Sequence, residues 1–150
     1  MPKLGISRYF YRMKFPAIDL LPQRPPFQFI DTITHVTEDE IQSSFLISKQ
    51  SLFLLDDTLS ESALIENMAQ TIAAGNSLHQ QSTTKTPQIG FIGAIKKIKI
   101  QRSPAVHDLL ETTVKTLHVI GDARIAEAKI FCNQIEIASA ELTIFVQNKL

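Results

Sequence analysis

The feature that most constrains the fold is a single long helix between two groups of strand-like sequence. Apolar side chains recur at helical spacing on adjoining faces over residues 62–75, so this helix is apolar most of the way round and should be buried. A capping-box pattern opens it, with the hydroxyl of Thr58 at the N-cap and Glu61 three residues later. We expect the helix to run to about His79, covered by the remaining elements.

Those remaining elements are predicted to be strands. Residues 27–34 and 40–47 are rich in Ile, Phe and Thr and predict a hairpin before the helix. Residues 88–101 follow the helix and predict one long strand whose later half alternates inward and outward. Three more strand-length runs, separated by turn pairs, lie at residues 109–120, 123–132 and 135–145. One helix and six strands favour an α+β fold with an antiparallel sheet curved around the helix, and its open edge and far face predict a dimer.

Composition narrows the class of protein. A chain of 150 residues is long enough for one domain with a real core, which we place at residues 21–150 after an N-terminal extension at 1–20. Fifteen basic residues balance fifteen acidic ones, so no overall charge attracts nucleic acid or lipid headgroups. A single cysteine excludes an intrachain disulfide and a cysteine-based zinc site. The extension lacks an apolar run long enough for a secretory signal or a membrane span, so we expect a cytoplasmic protein.

One carboxylate, Glu66, interrupts the apolar helix. A carboxyl group against a core loses hydration and can then hold or deliver a proton near neutral pH. The alternative is a residue at the helix edge that reaches water or pairs with a lysine. Gln70 lies one turn later on the same face, where it could hold the Glu66 carboxyl by a hydrogen bond or be satisfied by strand backbone.

Three segments carry a resemblance to a known family. Residues 21–31 look like the family's opening Leu-Pro-His-Arg-x-Pro-Phe-Leu-x-x-Asp, residues 64–70 are similar to its Leu-Glu-x-x-Ala-Gln helix, and residues 89–108 align without gaps with the strand and loop that follow. On these segments the chain resembles the hotdog-fold 3-hydroxyacyl-[acyl-carrier-protein] dehydratases. The resemblance implies a dimer with a sheet wrapped around one long helix, and a catalytic role for Glu66.

The chain departs from that family just before the helix. The dehydratases carry a Gly-His-Phe-Pro segment there, and its His abstracts the α-proton of the substrate, whereas residues 51–59 are shorter and contain no His. Asp56 or Asp57 falls nearest the missing imidazole. The shorter loop is similar to the diverged second dehydratase subunit of aryl-polyene and flexirubin-type pigment clusters. Because these active sites are shared between protomers, the resemblance implies that a His-bearing hotdog partner completes the site with Glu66; a homodimer is the alternative.

The resemblance also implies a substrate carried on the phosphopantetheine arm of an acyl carrier protein, or on coenzyme A, with no cofactor of the protein's own. Six residues would border the acyl chain, although they are equally typical of any core: Phe53, Leu54, Leu55, Phe91, Ile92 and Gly93. Four cations form a candidate docking patch for an acidic carrier protein: Lys96, Lys97, Lys99 and Arg102. The other interpretation of Lys97 and Lys99 is the solvated face of an alternating strand.

The four histidines do not replace the missing base. His107 is predicted to lie in an exposed loop, His79 at the helix end, and the other two in strands, and none has metal-ligand spacing with a carboxylate, so we predict no metal. Two other functions remain open. Some hotdog thioesterases activate water with a lone acidic residue, for which Glu66 and Gln70 would suffice, and a non-catalytic subunit would only complete the fold of a partner.

Overall fold

The computed structural model describes residues 14–81 and 88–148, which form one helix and nine strands. In chain order the elements are β1 (Phe15–Pro16), a 3-10 turn (Ala17–Asp19), β2 (Thr32–Val36), β3 (Glu40–Leu46), β4 (Leu54–Leu55), β5 (Thr58–Leu59), α1 (Glu61–Gln81), β6 (Gln88–Ile100), β7 (Leu109–Ile120), β8 (Ala123–Cys132) and β9 (Ile135–Asn148).

Seven strands form one antiparallel sheet in the order β1-β2-β3-β7-β8-β9-β6, and β4 and β5 form a separate small hairpin. The core lies between this sheet and α1, whose Leu64, Met68 and Ile72 are almost completely buried. The predicted antiparallel sheet around one long helix is confirmed. Strand β6 is 13 residues long and pairs with β9 along one side, and no strand among residues 14–81 and 88–148 pairs with its other edge.

The middle of α1 lies very close to the sheet. A Cβ atom at Gly75 would overlap the buried side chain of Ile41 on β3, at both Cδ1 and Cγ1. A glycine inside a helix is usually unfavourable relative to alanine, by about 1 kcal/mol. Here it removes the side chain that would keep helix and strand apart.

The predicted N-cap is wrong by two residues. Ser60 caps the helix: its hydroxyl oxygen accepts from the Ala63 N–H at 3.4 Å, and its carbonyl accepts from the Leu64 N–H at 3.2 Å. Thr58 belongs to β5 instead, where its hydroxyl donates to the carbonyl of Leu55 at 2.7 Å and closes the β4–β5 turn.

The predicted alternation in β6 is also wrong. The register with β9 shifts between Lys96 and Lys99, and Lys97 adopts a left-handed backbone with φ 54°. Such a bulge breaks the two-residue period. Lys97, Ile98 and Lys99 are consequently all exposed, Ile98 to 48%.

Residues 15–20, predicted to belong to the N-terminal extension, pack onto the domain. β1 pairs with β2, and Ala17 and Leu20 are buried in the core. Residues 1–13 lie outside the described residues.

The far face of the sheet carries charge rather than a second core. A row of directly paired residues crosses it from β3 to β6, and none of its members is buried: Glu40, Lys115, Glu127, Glu141 and Lys96. Cross-strand partners project from the same face of a sheet. The centre of this face is therefore solvated, contrary to the expectation that it needs cover.

Candidate functional site

Glu66 lies in the second turn of α1 and is half-buried rather than enclosed in the core. Within the chain, one side of the helix packs on the sheet, and Glu66 lies on the flank where Ile65 and Ala69 are also only half-buried. Among residues 14–81 and 88–148, no ion pair to Glu66 is found. Its recorded partner is Gln70, whose Nε2 donates to Glu66 Oε1 at 3.4 Å.

The orientation of the Gln70 amide is fixed by backbone. Its Oε1 accepts from the N–H of Phe29 at 2.7 Å, and its Nε2 donates to the carbonyl of Phe27 at 2.9 Å. The N–H of Phe29 can be satisfied only by the amide oxygen of Gln70, which fixes the amide nitrogen on the other side. One N–H of that nitrogen bonds to Phe27, and the second is directed at Glu66. Both roles considered for Gln70 are found together, although the backbone it contacts belongs to a segment outside the sheet.

Asn67, which is not among the predicted site residues, is a buried polar residue beside Glu66. Its side chain is 0% exposed; Nδ2 donates to the carbonyl of Phe29 at 2.8 Å, and Oδ1 accepts from the hydroxyl of Thr112 at 2.6 Å. Asn67 and Gln70 together satisfy both the N–H and the C=O of Phe29. The signal in the sequence was a second amide three residues from Gln70, on the same side of a helix otherwise rich in small apolar residues.

This pairing explains why the first predicted strand begins late. Residues 27–34 are expected to be a strand, but β2 spans only Thr32–Val36. The backbone of the preceding residues is instead bonded to helix side chains. Side-chain amides on α1 thus provide the hydrogen bonds to this backbone that a neighbouring strand would otherwise provide.

An aromatic wall adjoins the segment. The ring of Phe53 stacks on that of Phe29, with centroids 5.8 Å apart and planes 17° apart, and Phe29 also meets Phe45 edge-on at 6.2 Å. Phe53 has a left-handed backbone (φ 61°), which is unusual for a bulky residue, and its carbonyl accepts from the Ser60 N–H at 2.9 Å. Phe53 is thereby tied directly to the N-cap of α1.

The rest of this loop is a two-residue hairpin. Leu54 is half-buried against the core, and Leu55 is 73% exposed. Asp56 and Asp57 form the turn, with φ values of 50° and 59°, which aspartate tolerates well at a tight hairpin. Both aspartates are exposed, and no described contact joins either to Glu66. Turn geometry therefore accounts for their presence.

The predicted acyl-contact residues of β6 lie on an edge strand. Phe91, Ile92 and Gly93 are exposed, and no described contact joins them to Glu66 within the chain. The space left by the missing Cβ of Gly93 is occupied by the ring of Phe145 on β9. Within the chain, the lack of a side chain at Gly93 therefore permits close packing of the Phe145 ring on the sheet.

The four predicted docking cations are exposed on β6 and the loop after it. Lys97 lies 3.4 Å from Glu141, and Arg102 lies 3.7 Å from Asp108. Exposed pairs of this kind contribute little to stability, so these cations stay accessible to an acidic partner.

The histidines are dispersed. His79 lies more than three turns after Glu66, about 20 Å along the helix axis, and its Nε2 is 2.9 Å from the carbonyl of Thr37. Burial lowers the pKa of His79, and Arg124 lowers it further, while the Thr37 carbonyl and Glu38 oppose the shift. His107 is exposed in a loop with φ 78°, and His35 and His118 lie on β2 and β7.

The described residues contain no group of three or more His, Cys, Asp or Glu residues placed to hold a metal ion. Within the same ranges, no helix is both long and apolar enough to cross a membrane.

Solved structures with the same fold include dehydratase and thioesterase proteins. The structure of the dehydratase heterocomplex ApeI:P from Xenorhabdus doucetiae matches with a TM-score of 0.81 and 20% identity, over 90% of this chain and 93% of that chain. A hypothetical thioesterase from Streptococcus pneumoniae, solved with coenzyme A, matches with a TM-score of 0.61 and 15% identity, over 78% and 85% of the two chains. The PaaI protein of the phenylacetic acid degradation operon of E. coli matches with a TM-score of 0.61 and 15% identity, over 75% and 80%.

These similarities establish the hotdog fold. The curated proteins give no significant sequence match to this chain. A family model does match: the one described as ApeP dehydratase, of the ApeP-like family, aligns with residues 15–150. That match spans almost the whole chain, including Glu66, Asn67 and Gln70, and the chain therefore belongs to the ApeP-like dehydratase family.

Proposed function

We propose that this chain is one subunit of a 3-hydroxyacyl-[acyl-carrier-protein] dehydratase of fatty-acid or aryl-polyene biosynthesis, which works with a His-bearing hotdog partner. The observation that carries the proposal is an acidic side chain with an oriented amide beside it, in a dehydratase-family chain whose preceding loop has no His. The similar structure from Xenorhabdus doucetiae is itself a heterocomplex, which supports a two-subunit enzyme.

The chemistry assigns Glu66 the role of the acid. A base removes the C2 proton, the electron pair forms the C2–C3 double bond, and the C3 hydroxyl leaves as water after receiving a proton. Gln70 holds Oε1 of Glu66, so Oε2 is the oxygen that delivers this proton. The first N–H groups of α1 provide hydrogen bonds and a favourable dipole for the thioester oxygen as negative charge develops there. The base is the partner's imidazole.

The open edge of β6 is the proposed contact with the partner. No strand in the described part of the chain pairs with this edge, and Phe91, Ile92 and Ile98 expose 51%, 38% and 48% of their surface. A strand of the partner added there would satisfy the backbone groups and cover these side chains. One complete site then forms from the partner's His and Glu66.

The test compares the chain alone with the chain co-purified with a His-bearing hotdog partner from the same gene cluster. Appearance of the conjugated enoyl thioester is followed by near-ultraviolet absorption on a 3-hydroxyacyl carrier-protein substrate. We expect turnover only from the pair and a loss of about 10²–10⁴-fold in kcat for Glu66→Gln. Glu61→Gln, at an exposed position on the same helix, is the matched control and should be neutral. Strong activity of the chain alone, or an unaffected Glu66→Gln pair, would contradict the proposal.

A second candidate is a thioesterase, favoured by the fold similarity to the Streptococcus pneumoniae protein solved with coenzyme A. Glu66 would then activate water, with Gln70 orienting the carboxylate. A thiol-trapping reagent distinguishes the two reactions, because hydrolysis releases a free thiol and dehydration does not. A purely architectural subunit is identified by the same Glu66→Gln variant, since the activity of the pair would then be unchanged.

A further inference from the structure

Asn67 is among the most deeply buried polar residues of the chain, and the proposed chemistry does not use it. Both ends of its amide are satisfied, by the Phe29 carbonyl at 2.8 Å and by the Thr112 hydroxyl at 2.6 Å. Burying an amide is unfavourable unless such partners are present. An apolar residue at this position would leave the Phe29 carbonyl without this donor and the Thr112 hydroxyl without this acceptor, so Asn67 links the helix both to the sheet and to the segment beside Glu66.

The contacts of Asn67 form a continuous chain from the middle of the sheet to Glu66. Thr112 on β7 donates to Asn67, Asn67 donates to the carbonyl of Phe29, the N–H of Phe29 donates to Gln70, and Gln70 donates to Glu66. The donor and the acceptor cannot be exchanged in any of these hydrogen bonds. The carbonyl of Phe29 accepts only from the Asn67 nitrogen, and the Phe29 N–H donates only to the Gln70 oxygen.

A second buried polar pair serves as a comparison. The hydroxyls of Ser43 on β3 and Thr71 on α1 lie 2.7 Å apart and are as buried as Asn67 and Thr112. This pair also joins helix to sheet, and the Thr71 hydroxyl donates to the backbone carbonyl of Asn67 at 2.8 Å. Neither hydroxyl bonds to the Asn67 amide or to residues 27–29, so the pair is a buried helix–sheet contact that bypasses the connection to Glu66.

We propose that Asn67 is a positioning residue of the Glu66 site. Through Phe29 and Gln70 it fixes the direction in which Glu66 presents its free carboxyl oxygen. This rests on the proposed function. Loss of the Asn67 donor leaves the Phe29 carbonyl unsatisfied, the segment at residues 27–29 shifts, and Gln70 no longer holds Glu66 in one orientation. Because Asn67 is not exposed to substrate, the effect falls on kcat and leaves KM nearly unchanged.

The test uses two variants and one control in the complex with the His-bearing partner. Thr112→Val is isosteric and removes the donor to Asn67, Asn67→Leu removes the whole amide, and Ser43→Ala disrupts the comparison pair. We expect the first two to lower kcat about ten-fold or more, since small misplacements of reacting groups are costly, with KM within about two-fold of wild type. Hydrogen exchange at the Phe29 amide should accelerate in both. Ser43→Ala should lower the free energy of unfolding while leaving kcat and the exchange of the Phe29 amide unchanged.

Each outcome has a distinct meaning. An active wild-type pair whose Thr112→Val and Asn67→Leu variants keep kcat would overturn this proposal alone, as would an equal loss of kcat in Ser43→Ala. If Asn67→Leu does not fold, the milder Thr112→Val decides. A wild-type pair without dehydratase turnover would overturn the proposed function before any variant is compared.

Discussion

Replacing Gly75 by alanine tests the close approach of α1 to β3. The added Cβ would overlap Cδ1 and Cγ1 of Ile41, which is 4% exposed and enclosed in the core. Overpacking of this kind costs about 1–3 kcal/mol, and the better helix propensity of alanine returns about 1 kcal/mol. The net loss is therefore about 0–2 kcal/mol, or a fall in Tm of up to about 8 °C for a chain of this length.

The assay is urea unfolding of Gly75→Ala, Ile41→Val and the double variant. Ile41→Val alone removes the Cδ1 methyl group and should cost about 0.5–1.5 kcal/mol. If the overlap is real, the double variant should be more stable than the sum of the single losses implies, with a coupling of at least about 0.5 kcal/mol. Additive losses, or a Gly75→Ala variant more stable than wild type, would refute the reasoning, because helix propensity alone would then govern this position.

Three further predictions concern pH, the docking patch and the interface. Burial lowers the pKa of His79 in the folded state below its ordinary 6.5. The stability linked to this shift is therefore complete above pH 6.5 and is lost as the pH falls through the folded pKa. His79→Gln should flatten the dependence of Tm on pH between 7 and 5, and an unchanged slope would show that other groups dominate. Charge reversal at Lys96 and Lys99 together should raise KM for a carrier-protein substrate, and the rise should be larger at low salt than at high salt. The KM for a coenzyme A substrate should stay the same. An equal rise in KM for the two substrates would count against carrier-protein docking at this patch. Ile98→Lys should weaken co-purification with the partner while circular dichroism shows that the chain stays folded. Leu117→Lys changes a similarly exposed apolar position on β7 and is the control. Equal effects of the two variants would argue against the β6 edge as the contact with the partner.

Most of the architecture was predictable because the periodic signals were strong. The strands predicted at 109–120 and 123–132 match the structure residue for residue, because turn pairs mark where these strand-length runs end. The helix ends within two residues of the expected His79. In these segments local preference and burial favour the same conformation.

The errors occur where a distant contact decides local structure. A sequence pattern at residues 27–29 could not reveal that amides 38 to 43 positions later bond its backbone. The bulge at Lys97 is likewise set by pairing with β9 and not by its own residues. Whether Glu66 faces the sheet or lies on an outer flank depends on how α1 is rotated against the sheet. A helix that is apolar most of the way round has little amphipathic pattern, so its sequence does not determine that rotation.

The candidate site was found through Glu66 and Gln70 and missed at Asn67. A carboxylate in an apolar helix is conspicuous, whereas an asparagine beside it has the ordinary appearance of a polar helix residue. Its buried contacts, to the Thr112 hydroxyl and the Phe29 carbonyl, depend on the tertiary structure and leave no mark in the local sequence.

The charged row from Glu40 to Lys96 limits how these sheets can assemble. Laying another sheet flat against it would strip water from ions of both signs across five of the seven strands, at a cost that ion pairing seldom recovers. Association side by side leaves every one of those ions hydrated. A complex built from this chain should therefore form by extending the sheet edge to edge and not by packing sheets face to face. The outer face of the extended sheet then stays solvated and resists the packing of another sheet on it.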